Sequence, residues 1–132
     1  MLTDVRRSRT VSLQTVVETP AYLSAANEEG MTPGEMTAAV SLVAANPRAG
    51  DLIVGSGGCR KVRVPGKGRG KSGGYRVVTF FTGEDVPVFL LAVLSKGSRA
   101  NFSKVERDAM KQAAEVLRES LVGRGAPKGR SK

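Results

Sequence analysis

A run of positive charge between residues 60 and 76 is the part of the sequence best suited to chemistry. It holds seven basic side chains and no acidic one, namely Arg60, Lys61, Arg63, Lys67, Arg69, Lys71 and Arg76. Because side chains alternate along a strand, Lys61 and Arg63 are predicted to share one face, with the neighbouring valines on the core side. Two cations held side by side on a rigid backbone are suited to binding a phosphodiester.

The loop at residues 65–74, PGKGRGKSGG, alternates glycine with cations and so offers peptide N–H groups and basic tips to an anion. It is not a nucleotide-binding P-loop, because Pro65 stands where that motif needs its first glycine and Tyr75 begins a strand pattern. The plain alternative is a solvated hairpin that only keeps the protein in solution. The unusual length of the connection favours a functional role.

Composition limits the chemistry further. The chain has one cysteine, Cys59, and no histidine, which excludes an internal disulfide, a cysteine cluster for metal and the commonest general base. We expect no metal and no cofactor, and we interpret Cys59 as a packing residue. Most of the six aromatic side chains are expected in the core, and Gly57 and Gly58 are expected to shape a turn.

The net charge is +9, from 21 basic and 12 acidic residues, and it is unevenly placed. Residues 1–50 carry four basic and five acidic side chains, net −1, whereas residues 51–132 carry seventeen and seven, net +10. An acidic partner is therefore expected for the second half. With no apolar stretch of membrane-spanning length and no secretory pattern at the start, we expect a cytoplasmic protein without a membrane partner.

Hydrophobic periodicity, helix-capping motifs and turn residues predict the elements that must position these cations. The first half is predicted to contain a strand at residues 11–17, a short helix at 20–27 and a helix that begins with a capping box at Thr32 and stops at Pro47. Strands are predicted at 60–64, 75–81 and 86–94. A final helix is predicted from a second capping box at Ser103 to about residue 121. The third of the later strands is apolar on both faces and is predicted to be central. This order predicts an α+β domain at residues 11–121 with an antiparallel sheet, between flexible segments at 1–10 and 122–132.

Three motifs occur in order: NPRAGD at residues 46–51, GSGGCRKVRV at 55–64 and GRGKSGGYRV at 68–77. With them the chain resembles the RelE toxins, in particular their HigB-like branch, over about residues 11–117. The resemblance implies a compact antiparallel sheet with helices packed on one face. It also implies a toxin of a type II toxin–antitoxin system, a metal-independent endoribonuclease that cleaves mRNA in the ribosomal decoding site. A cognate antitoxin, acidic where it meets residues 60–76, would hold it inactive in a hetero-oligomer.

The resemblance also implies roles for individual residues. Lys61, Arg63 and Arg76 fall where the family places catalytic cations, and Lys96 and Arg99 fall in a further basic segment. The predicted catalytic set is Lys61, Arg63, Arg76 and Lys96, and the predicted RNA-binding set is Arg60, Lys67, Arg69, Lys71 and Arg99. Arg76 would stabilise the charge of the transition state, and Lys61 would act as base if the cations Arg60 and Arg63 favour its neutral form.

Departures from the family pattern leave two alternatives open. Relatives often carry aromatic hydroxyls where this chain has Thr79 and, further on, Phe102 and Ser103, so the general acid is unassigned. One alternative is a toxin of the same superfamily that binds a protein such as DNA gyrase without chemistry. The other is a relative that binds RNA but no longer cuts it. Cations converging on one concave site would favour the endoribonuclease, and a flat spread would favour the gyrase-directed toxin.

Overall fold

The computed structural model describes residues 13–66, 74–83, 85–95 and 102–125, and these residues form an α+β fold. The elements, in chain order, are β1 (Val16–Glu18), α1 (Pro20–Glu29), α2 (Pro33–Ala45), β2 (Asp51–Leu52), β3 (Arg60–Val64), β4 (Tyr75–Phe80), β5 (Val88–Ser95) and α3 (Lys104–Gly125). The predicted class is confirmed, and so are the predicted helices and strands in outline. The short strand β2 was not predicted. No helix in the described part of the chain is long and apolar enough to cross a membrane.

The five strands form one sheet in the order β1-β5-β4-β3-β2. The strands β2 to β5 pair in antiparallel fashion, but β1 runs parallel to β5, so the prediction of a wholly antiparallel sheet is wrong at this edge. The hydroxyl of Thr19 donates a 2.7 Å hydrogen bond to the carbonyl of Leu90 and fastens this edge. As predicted, β5 lies inside the sheet, with a neighbour on each side.

Helices cover both faces of the sheet, which corrects the expectation of helices on one face. Side chains of β4 alternate between two hydrophobic clusters: Val77 joins the cluster that contains residues of α1 and α2, whereas Val78 and Phe80 join a second cluster that contains Met110 and Ala114 of α3. Both faces of the central strands are apolar, so each needs a cover to keep it from water.

Both predicted capping boxes are present. The hydroxyl of Thr32 accepts from the N–H of Glu35, and the Glu35 carboxylate accepts from the N–H of Thr32, at 3.1 and 2.9 Å. Ser103 and Glu106 exchange the same bonds at 3.1 and 2.7 Å. The helix that begins at Ser103 continues to Gly125, past the predicted end near residue 121. Residues 122–125 of the predicted flexible tail are therefore helical, and residues 1–12 and 126–132 lie outside the described part.

The loop at residues 53–59 packs closely along α3. A Cβ on Gly57 would lie 3.3 Å from the Cα of Lys111, so glycine permits the close approach. The Arg118 guanidinium donates a 2.7 Å hydrogen bond to the Gly57 carbonyl and lies 4.9 Å from the centre of the Phe80 ring. Gly57 and Gly58 both have positive φ, which confirms their interpretation as turn residues.

Candidate nucleic-acid interface

Three cations from two neighbouring strands lie on one face of the sheet. Arg63 of β3 is directly opposite Arg76 of β4, and Lys61 is opposite Val78. Directly opposed residues in an antiparallel pair have Cβ atoms about 5 Å apart. Arg63 is exposed, whereas Lys61 and Arg76 are half-buried. We call Lys61, Arg63 and Arg76 the three-cation surface.

The backbone under this surface is firmly held. On the opposite face, Val64, Tyr75 and Val77 are buried in the first hydrophobic cluster. The hydroxyl of Tyr75 donates a 3.1 Å hydrogen bond to the carboxylate of Glu35, the residue that caps α2. Since Tyr75 immediately precedes Arg76, α2 and the first cluster together fix the strand that presents Arg76. This arrangement gives the cations little freedom to move apart.

The pairing of Arg63 with Arg76 has an electrostatic consequence. Like charges directly opposite one another on a sheet are destabilising, by up to about 1 kcal/mol. An anion placed between two guanidinium groups removes this repulsion and accepts charge-assisted hydrogen bonds from both. The geometry therefore suits a phosphate group held between the two arginines.

A cleft of about 490 Å³ lies beside Lys61. Its other walls come from residues 52–55, at the end of β2 and just after it, from Phe102 just before α3, and from Arg107 in the first turn of α3. The Arg107 guanidinium donates a 2.6 Å hydrogen bond to the Phe102 carbonyl. We call this the Lys61 cleft. It makes the cation site concave at one end.

Arg107 was not among the residues predicted from the sequence. The side chain reaches the site only because α3 folds back over the second face of the sheet, and that packing was not anticipated. One local signal was present. A cation near the start of a helix interacts unfavourably with the helix dipole, so a cation at this position indicates a role other than stabilising the helix.

Arg60 does not join the three-cation surface. The alternation of β3 places its side chain on the opposite face from Lys61, where the guanidinium donates a 3.1 Å hydrogen bond to the Gly50 carbonyl. RNA binding by Arg60 stays a prediction, at a position on the other face of the sheet from the three-cation surface. The other predicted site residues, Lys67, Arg69, Lys71, Lys96 and Arg99, lie outside the described residues.

The side chains that replace the family's aromatic hydroxyls are engaged elsewhere. Thr79 is buried on the face opposite the three cations, where its hydroxyl has no hydrogen-bond partner among the described residues. Phe102 is buried in the second cluster and carries no hydroxyl. Ser103 caps α3. None of the three stands as a proton donor on the three-cation surface.

Cys59 is a packing residue, as predicted. It is fully buried in the second cluster, and burial raises the pKa of its thiol to about 11, against the smaller opposing effects of the Ser56 hydrogen bond and the Arg118 charge. The reactive thiolate is therefore scarce at neutral pH. Tyr75 and Phe80 are buried too, which confirms their predicted core role. Among the described residues, no group of three or more histidine, cysteine or acidic side chains could hold a metal ion.

The chain matches a protein-family model over most of its length. The family model described as the RelE toxin of the RelE / RelB toxin–antitoxin system matches residues 15–121. This span contains the whole sheet, both strands of the three-cation surface and the Lys61 cleft. The match is to the family as a whole, so membership of the HigB-like branch stays a prediction. The chain belongs to the RelE toxin family of toxin–antitoxin systems.

Proposed function

We propose that this protein is a ribosome-dependent endoribonuclease that cleaves mRNA during translation and thereby inhibits protein synthesis. The observation that carries the proposal is the convergence of Lys61, Arg63 and Arg76 on one face of the sheet, beside a cleft. The net charge of +10 carried by residues 51–132 supports docking on ribosomal RNA. Because its proposed target is the translating ribosome, the protein is proposed to act in the cytoplasm.

In the proposed reaction, the 2′-oxygen of a nucleotide attacks the adjacent phosphorus and the bond to the 5′-oxygen breaks. The products are a 2′,3′-cyclic phosphate and a 5′-hydroxyl. Arg63 and Arg76 hold the non-bridging oxygens, where negative charge grows in the transition state. Lys61 is the proposed base that accepts the proton of the 2′-hydroxyl. The 5′-oxygen takes up a proton from an acid, and Lys96 remains the fourth catalytic residue proposed from the sequence.

The geometry favours this chemistry over a gyrase-directed toxin. A toxin that only docks on a protein needs complementary charge but no grouping of cations at the spacing of one phosphate. The directly opposed arginines and Lys61 on the same face of β3 group three cations in one place, which supports a phosphate site. The family match supports a toxin in either case.

The test is primer extension on mRNA from a translating extract, with and without intact ribosomes. We expect new 5′ ends inside reading frames when wild-type protein and ribosomes are both present. A double variant, Arg63→Ala with Arg76→Ala, should leave the message intact while circular dichroism shows a folded protein. Intact message and continuing translation with the wild type would contradict the proposal, and a DNA supercoiling assay would then test the gyrase alternative.

We further propose that an antitoxin neutralises the protein by covering the three-cation surface with an acidic segment. The basic face of β3 and β4 is complementary to such a segment. Hydrogen exchange on a purified toxin–antitoxin complex should show added protection at residues 60–64 and 75–80. Unchanged exchange of both strands in the complex would contradict masking of the cations. The antitoxin would then inhibit by blocking access sterically from another surface.

A further inference from the structure

We propose that the Lys61 cleft binds one nucleotide of the RNA, the one next to the phosphate held by the arginines, and that Arg107 stacks on its base. This inference rests on the proposed function, since it names a subsite beside the same cations. It assigns to Arg107 a specificity-determining role that neither the sequence motifs nor the family match supplies.

The size and walls of the cleft fit a nucleotide. Its volume, about 490 Å³, falls in the range of small-ligand sites, about 300–1,000 Å³. Leu52 and Val54 line it and are 59% and 88% exposed, an uncommon exposure for two large apolar side chains so close in sequence. A planar base covers apolar surface of this kind, while the phosphate lies against Arg63 and Arg76 beside the cleft.

Arg107 is held in a fixed orientation at the opposite wall. Its Nη1 donates to the Phe102 carbonyl at 2.6 Å, and a Cβ added to Gly55 would lie 3.5 Å from its Nε. The guanidinium is thus oriented by a backbone carbonyl and lies near the facing loop, where Gly55 leaves room for it. A restrained guanidinium plane is suited to stacking on a nucleobase, a common mode of recognition for single-stranded RNA.

Two elements far apart in sequence therefore complete the subsite. Lys61 comes from β3, next to the edge strand β2, and Arg107 comes from the helix that covers the second face of the sheet. The phosphate lies towards Lys61 and the three-cation surface. The base lies between Arg107 and the apolar side chains of Leu52 and Val54.

The experiment is an NMR titration of the full chain, ¹⁵N-labelled and with labelled valine and leucine methyl groups. The probes are the four nucleoside 3′-monophosphates and, separately, inorganic phosphate. We expect at least one nucleotide to shift the Val54 methyl groups and the Arg107 Nε–H, whereas phosphate alone shifts the three-cation surface and leaves Val54 unchanged. Nucleotides that shift only the resonances shifted by phosphate would overturn the proposal.

Substitutions separate stacking from charge. Arg107→Lys keeps the charge but loses the plane, and we expect it to weaken nucleotide binding about tenfold while phosphate binding changes less than about twofold. Lys111→Gln, one turn further along the helix, measures the separate effect of losing a positive charge from α3 and should bind the nucleotide like the wild type. Val54→Glu changes an exposed side chain, so it should fold normally and still lose nucleotide binding. Wild-type affinity in Arg107→Lys would overturn the stacking role.

The mRNA cleavage assay and the nucleotide titration together show whether the nucleotide subsite or the endoribonuclease activity is wrong. If the wild type cleaves mRNA but nucleotides do not reach Val54 and Arg107, only the subsite is wrong. If nucleotides bind in the cleft but no message is cleaved, the proposed endoribonuclease is wrong and the subsite stands as a nucleotide-binding site.

Discussion

Replacing Arg76 with alanine is expected to slow mRNA cleavage by about 10²–10³-fold, the usual effect of removing one donor that stabilises an oxyanion. Arg76 is half-buried on β4, directly opposite Arg63, so its loss leaves one guanidinium where the proposed site has two. The loss should appear in the rate of cleavage at saturating protein, measured by a primer-extension time course on ribosome-bound message.

Arg60→Ala is the control for this result. It removes the same side chain from the adjacent strand, but Arg60 lies on the opposite face and donates to the Gly50 carbonyl. We expect its cleavage rate to stay within about threefold of the wild type and its stability to fall by about 1 kcal/mol for the lost hydrogen bond. An equal loss of cleavage in both variants would show that net charge, and not the placement of Arg76, controls the activity.

Gly50→Ala is expected to lower the free energy of unfolding by about 3 kcal/mol, through left-handed backbone strain and overpacking. Gly50 has φ +91°, and an added Cβ would overlap the Lys61 carbonyl oxygen and lie 2.8 Å from the carbonyl carbon. The methyl group must therefore displace β3 at the residue proposed as base. Urea denaturation measures the stability.

Gly30→Ala separates strain from overpacking. Gly30 has a similar φ, +80°, but an added Cβ has no atom within 4 Å. Its cost should be the backbone strain alone, about 1 kcal/mol. If the two alanine variants were equally stable, close packing of Gly50 on the Lys61 peptide would not be a constraint on this fold.

Much of the local structure was predictable because the signals are local. The strand Arg60–Val64 was predicted with its observed bounds, since alternating valines and cations specify both a strand and the face each side chain takes. The capping boxes at Thr32 and Ser103 were equally clear, because each motif contains both partners of its hydrogen bonds. The grouping of Lys61 with Arg63 followed from the same alternation.

The remaining features depend on contacts between distant parts of the chain. Three residues of β1 carry no sign of whether their partner will run parallel or antiparallel, and β5 lies about seventy residues away. The position of α3 on the second face follows from the apolar residues of β4 and β5 that lie there. The sequence predicted that β5 is apolar on both faces but not that a helix would cover the second face. Arg107 was missed for the same reason, and the bond from Arg60 to the Gly50 carbonyl joins residues ten positions apart, which no local pattern indicates.

The position of α3 also bears on the order in which the protein is made. A ribosome synthesises every strand of the sheet before it reaches residue 104. The growing chain thus contains Lys61, Arg63 and Arg76 while the second face of its sheet still lacks the helix that covers it. Phe102 and Arg107 arrive last among the walls of the Lys61 cleft. The concave site is therefore completed late in synthesis, after the strands that carry its cations already exist.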